Sequence, residues 1–293
     1  MATAPVTRTA PATPSLDSIA RTFSLVFMKS LLRITIPLLV ALATQSNAHE
    51  FWLEPKNFQG SPGETVEIDL RNGQDFRGQE MSWYDPRIAR AQVVRDGKSE
   101  DYQGRPGDLP GMTVELGNGL TEVAYASRMS RLTYDSWEKV MSFTTEKDIA
   151  DFAARHAARG FPQEGVTEGY WRFSKTLLSG GADGTGSDTG METEFIALSD
   201  PYAPGADSIR LQLIYQGARR PDAQVEMWEK RAGDVSKTLH RTDDAGHVTL
   251  PLRPGSVYMV DAVILREPAS DRAREAGVMW ESLWANLTYA VPE

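Results

Sequence analysis

Ile209-Arg210-Leu211-Gln212-Leu213-Ile214-Tyr215 is the stretch that decides the fold class. Ile209, Leu211, Leu213 and Tyr215 alternate with Arg210 and Gln212, and a period of two places the apolar set on one face of a β-strand. The pattern recurs downstream. Val225 and Met227 alternate with Glu226 and Trp228, and Val257, Met259 and Val263 follow a Pro254-Gly255 turn. Leu283, Ala285, Leu287, Tyr289 and Val291 close the chain in the same period. Six or seven such strands in about 100 residues, punctuated by Gly and Pro turns, predict a small β-sandwich over residues 191–293.

Upstream, Gly180-Gly181-Ala182-Asp183-Gly184-Thr185-Gly186-Ser187-Asp188-Thr189-Gly190 has no side chains with which to build a core, and it reads as a linker between domains. Its glycines lack the Lys-Ser/Thr that a phosphate-binding loop requires, and its aspartates lack calcium-loop spacing. Before it, Val66-Glu67-Ile68-Asp69-Leu70 alternates ahead of an Asn72-Gly73 turn, Gln92 to Arg95 precedes Asp96-Gly97, and Thr121 to Ser127 forms a further strand. Tyr170 to Leu178 fits either strand or helix, with the alternation of Trp171, Phe173 and Leu177 favouring strand. One helix is expected near 146–159: Thr145 stands as its cap, Ile149, Phe152, Ala153 and His156 share a face, and Gly160 ends it. The fold expected is therefore mostly β: two sandwich domains of Ig-like or transthyretin-like type, at 49–179 and 191–293, with one helix inserted in the first.

The N-terminal region reads as an export signal. Met28-Lys29-Ser30-Leu31-Leu32-Arg33 supplies a charged start, Ile34 to Ala43 an apolar run, and Ser46-Asn47-Ala48 the small residues a signal peptidase cleaves after. Residues 28–48 are thus expected as a signal peptide and 1–27 as an unstructured leader or a mis-assigned start. The expected location is the periplasm. The apolar run is shorter than the ~20 residues that span a bilayer. Residues 49–293 carry 27 basic against 39 acidic side chains, a net charge of −12, which argues against nucleic acid or anionic lipid as partner. Absence of cysteine excludes disulfides, thiolate metal sites, iron–sulfur clusters and a cysteine nucleophile.

Cleavage after Ala48 would leave His49-Glu50-Phe51-Trp52 as the new N-terminus. A terminal histidine offers an imidazole and an α-amine from one residue, a donor pair suited to a borderline transition metal. His156 falls on the apolar stripe of the expected helix and reads as a core histidine. His240 and His247 flank Thr242-Asp243-Asp244-Ala245-Gly246; a turn at Asp244-Ala245 would make them diagonal neighbours across a hairpin, about 7–8 Å apart. His49, His240 and His247 are accordingly the candidate metal ligands.

Five pieces in order carry a family resemblance: Ala48-His49-Glu50-Phe51-Trp52-Leu53-Glu54-Pro55; Tyr170 to Leu178; Glu194-Phe195-Ile196-Ala197-Leu198-Ser199-Asp200-Pro201; Arg241 to Gly246; and Trp280 to Tyr289. Together they resemble an exported domain family of unknown function related to the periplasmic substrate-specific component of nickel and cobalt uptake. The resemblance implies a two-part, mostly β periplasmic protein of transition-metal acquisition, with His49 matching the family's leading histidine. Where members carry another histidine before the last loop, this chain reads Val263-Ile264-Leu265-Arg266-Glu267, which leaves His240, His247 or a carboxylate such as Glu50 or Glu54 to replace it.

The function expected is a non-enzymatic binding or delivery protein for a divalent transition metal, nickel or cobalt before copper or zinc. An outer-membrane receptor or an inner-membrane transporter would be its partner. Two alternatives stand beside it: an Ig-like module that binds protein or glycan without metal, and a copper histidine brace built on His49. No Gly-x-Ser-x-Gly or His-Glu-x-x-His occurs to suggest another enzyme class.

Overall fold

Period-two segments become strands throughout the computed structural model, which describes residues 49–293 together with Met1, Ala2 and Ala4. The expected leader, signal peptide and cleavage point lie outside the described residues. In chain order the first half holds β1 (Glu50–Pro55), β2 (Thr65–Gln74), β3 (Arg77–Met81), β4 (Ile88–Arg95), β5 (Lys98–Asp101), β6 (Met112–Glu115), β7 (Leu120–Ser127), β8 (Ser130–Thr133), α1 (Trp137–Glu146), α2 (Phe152–Ala158) and β9 (Thr167–Ser179). The second holds β10 (Thr193–Ala197), β11 (Ser208–Tyr215), β12 (Ala218–Arg219), β13 (Gln224–Arg231), β14 (Asp234–Arg241), β15 (His247–Pro251), β16 (Ser256–Arg266), α3 (Asp271–Glu275) and β17 (Trp280–Val291). Among the described residues no helix is long and apolar enough to cross a membrane.

The strands form a nine-stranded sheet in the order β14-β13-β16-β17-β9-β7-β4-β5, with β8 also on β9, and two four-stranded sheets, β1-β2-β3 with β6 and β10-β11-β12 with β15. The large sheet is antiparallel except at its centre, where β9 and β17 run parallel with Arg172 opposite Trp284 and Thr176 opposite Thr288. Its two faces bury different cores. Leu177 packs with Phe195, Leu211, Leu250 and Leu287 beneath the β10–β15 sheet, whereas its neighbour Leu178 packs with Leu53, Ile68, Val114 and Val123 beneath the β1–β6 sheet. Successive residues of β9 thus face opposite layers, as strand geometry demands. The architecture is mostly β and sandwich-like.

Three local expectations change. The Asn72-Gly73 pair continues β2, and the turn falls at Asp75 and Phe76, both with φ 55°. The single helix at 146–159 is two helices: Ser136, not Thr145, caps α1 by accepting the Lys139 N–H, and the chain breaks where Asp148 and Asp151 take positive φ. Ile149 and Phe152 still bury in one cluster with Val140 and Trp280. The Gly-rich run, expected as a linker, is threaded along the sheet. Gly186 N–H donates to Ala197 O (2.7 Å), Ser187 N–H to Glu122 Oε1 (2.7 Å), and Gln92 Nε2 to Thr189 O (3.0 Å). A Cβ at Gly180 would lie 1.9 Å from Gly117 O, so glycine here allows close approach of two chains rather than freedom. Strands from both sides of the run share the nine-stranded sheet.

Because Leu177 and Leu178 fill cores on opposite faces of one strand, Leu177→Ala and Leu178→Ala are each expected to cost about 2–5 kcal/mol. Urea unfolding followed by circular dichroism should show one cooperative transition in each variant. Two separated transitions would contradict a shared sheet.

Candidate functional site

Strand β1 and what lies beneath it define a heavily charged interior region. The free edge of β1 stands against the nine-stranded sheet: the Arg172 guanidinium donates to the His49 carbonyl, and Thr288 Oγ1 donates to the Leu53 carbonyl (2.6 Å). Arg172 is 6% exposed, and its guanidinium lies 4.1 Å from the Trp284 ring centre and 4.8 Å from that of Tyr170. Burial pulls the Arg172 pKa below its ordinary value, opposed by Tyr170, Asp261, Glu168 and Glu50. Glu168, wholly buried, accepts from Tyr134 and Ser282 hydroxyls, and burial still raises its pKa.

Lys147, the residue that caps the C-terminus of α1, points its ammonium into three acids from three strands. Its Nζ lies 2.9 Å from Glu226 (β13), 3.7 Å from Glu50 (β1) and 3.9 Å from Asp261 (β16), and all four side chains are at most 6% exposed. Burial works to lower the Lys147 pKa, yet Asp261, Glu226 and Glu50 together raise it. One ammonium does not satisfy three carboxylates. Glu50 Oε2, Glu226 Oε1 and Asp261 Oδ2 have no hydrogen-bond partner among the described residues. Burial raises the pKa of Glu50 and pushes that of Asp261 up to about 7, against the opposing charge of Lys147. A narrow cleft of about 40 Å³ between α1 and Glu50 leads to this cluster.

The three candidate metal ligands do not converge. His49 is half-buried at the head of β1, and no hydrogen bond or ion pair joins it to another histidine. The turn at Asp244-Ala245 forms, with Asp243 N–H donating to His247 O (2.8 Å), but the strands then splay into different sheets. His240 lies opposite Val225 on β13 with Nε2 2.9 Å from Thr238 Oγ1, and burial lowers its pKa. His247 lies opposite Gln212 on β11, its Nδ1 4.0 Å from Asp243 Oδ2. The diagonal pairing expected of His240 and His247 is therefore absent. Among the described residues no three of His, Asp and Glu are grouped closely enough to hold an ion. His156 is a core residue: its Nδ1 accepts from Trp280 Nε1 (2.9 Å) and its Nε2 lies 2.9 Å from Pro162 O.

Of the charged cluster, only Glu50 was singled out by the sequence. Glu226 entered the sequence reading only as a residue alternating with Val225 and Met227, and it is buried. Asp261 carried a readable signal, an acid within the apolar run from Val257 to Leu265.

Fold and site define a mostly β, sandwich-like protein with an unbalanced buried acid cluster at its N-terminal edge. The chain belongs to the family described as a domain of unknown function (DUF4198), whose model matches residues 46–266. No curated protein matches it. Among solved structures it is similar to a DUF4785 family protein from Legionella pneumophila, at 9% identity and TM-score 0.21, covering 71% of this chain and 51% of that one. It is similar also to the D0-D1 domain of intimin, at 12% identity and TM-score 0.19, covering 82% and 97%. The chain spans about half the length of the Legionella protein, and likenesses this low carry no argument about function.

The raised Asp261 pKa gives a pH signature. The folded protein holds a proton on Asp261 that the unfolded chain releases near its ordinary value of 3.8, so this group's contribution to stability declines as pH rises from about 4 to about 7. Asp261→Asn should flatten the stability profile in that window and be more stable than wild type above it, measured by urea midpoints across pH. An unchanged slope would contradict the assignment.

Proposed function

We propose that this is a non-enzymatic periplasmic binding or delivery protein for a divalent transition metal, nickel or cobalt in preference to copper or zinc, with His49 as the principal donor. The observation that carries the reading is the anchoring of His49, whose carbonyl is held by a buried arginine. With the chain cut after Ala48, imidazole and α-amine of one residue would form a chelate, and such nitrogen donors with carboxylate support suit this range of ions. Among the described residues no group of three His, Asp or Glu side chains encloses an ion, so the proposed site rests on the two nitrogens of His49. Openness suits a protein that hands its ion to a receptor or transporter better than one that stores it. His240 and His247 have no part in that site.

A second reading, an Ig-like interaction module without metal, is favoured by the same lack of an enclosing donor group.

Protein exported and processed to a free His49 should bind nickel or cobalt at one site by isothermal titration. His49→Ala is expected to weaken binding by at least about tenfold, which is about 1.4 kcal/mol, while His240→Ala and His247→Ala leave it unchanged. Equal affinity of His49→Ala and wild type, or no uptake of any of the four metals, would favour the interaction module.

A further inference from the structure

Arg172 faces a second space, distinct from the acid cluster. Phe51 and Glu50 point to opposite sides of β1, as neighbours in a strand must. On the Phe51 side a groove of about 250 Å³ lies between the β1–β3 strands and the nine-stranded sheet. Arg172, Tyr170, Tyr125 and Ser127 form its floor, Phe51 and Met81 line its walls, and Arg87 lines it from a short 3-10 turn.

The floor holds a buried guanidinium with no directly bonded anion. Arg172 makes no ion pair, and its Nη1 has no hydrogen-bond partner among the described residues. A buried guanidinium with an unused N–H edge is costly unless something accepts from it. Ser127 Oγ accepts the Arg172 backbone N–H (2.9 Å), which leaves its own hydroxyl proton free to donate. The Tyr125 and Tyr170 hydroxyls make no hydrogen bond among the described residues, and the Ser130 hydroxyl on β8 is equally uncommitted at the groove's edge.

We propose that this groove binds an organic monocarboxylate, its carboxylate on Arg172 and Ser127 and its apolar body against Phe51, Met81 and Tyr125. A planar carboxylate matches the fork of a guanidinium in a way that a point acceptor does not. The apolar walls select an organic anion over an inorganic one. A single charge is preferred because Asp261, Glu168 and Glu50 already surround Arg172 with negative potential. Exposed Arg87 supplies the entering anion with a positive approach.

Benzoate is the probe, titrated into the protein as isolated and followed by calorimetry and by ligand-observed NMR, with benzamide and sulfate as comparisons. Saturable benzoate binding is expected, with benzamide weaker by about tenfold, as loss of a charge-assisted bond implies. Arg172→Lys should abolish measurable binding. Arg87→Ala, at an exposed position, should weaken it about threefold or more by loss of attraction without altering the melting temperature. His49→Ala should leave benzoate affinity unchanged, which separates this site from the metal reading. Absent saturation, equal binding of benzamide, displacement of benzoate by sulfate at equal concentration, or indifference to Arg87→Ala and Arg172→Lys together would overturn the proposal.

Discussion

Arg172 leaves β9 almost wholly buried, at the floor of the groove, and several parts of the molecule meet on its guanidinium. Trp284, its register partner across the parallel β9–β17 pairing, lies against it, and the head of β1 is tied down by the bond to the His49 carbonyl. Removing a guanidinium from water is expensive, and aromatic faces with a single carbonyl repay only part of that cost. The remainder comes from acids placed around it rather than on it: Glu168, Glu50 and Asp261 act through the low-dielectric interior without forming an ion pair. The geometry of β1, of the acid cluster on one side and of the groove on the other follows from holding this charge in place.

The opposite face of β9 shows what a balanced cluster looks like. Lys175 is fully buried, yet its Nζ meets Glu122 at 2.8 Å, Glu194 at 3.0 Å and the Ser187 carbonyl at 2.9 Å. Thr189 and Met191 backbone N–H groups complete Glu194. That network pins the glycine-rich run to the sheet. Glu281 is similar: bonds from Arg266, Ser270, the Ala269 N–H and Trp171 hold its carboxyl down to about 2 despite burial. In both clusters each buried cation or carboxylate is held by several close partners. Around Lys147 and Arg172, by contrast, buried oxygens and an N–H edge remain without partners, and Asp261 is pushed up to about 7.

Alternation made the strands legible: Ile209 to Tyr215, Val225 to Trp228 and Leu283 to Val291 all appear where their period of two put them. Layering was not legible. In a sheet covered on both faces the polar set of a strand is buried too, as Glu226 and Asn286 are, and alternation by itself does not register it. The helix break depends on two aspartates adopting left-handed backbone, which stripe counting over Ile149, Phe152 and His156 does not register. The glycine run read as slack because composition reports missing side chains and is silent about backbone hydrogen bonds. His240 and His247 were separated by a splay between sheets that no local spacing encodes. Of the candidate site, His49 and Glu50 were visible as an N-terminal pair, whereas Lys147, Arg172, Glu226 and Asp261 come together only through long-range pairing.

The most direct measurement is amide hydrogen exchange, read by mass spectrometry, in wild type and Arg172→Lys. Lysine keeps the charge but loses the planar fork that spans the Trp284 face and the His49 carbonyl. Exchange over residues 49–55 is expected to accelerate while β16 and β17 remain protected, because the outer edge of β1 depends on the guanidinium and the seam beneath it does not. Unchanged protection of residues 49–55 would contradict the central role assigned to Arg172.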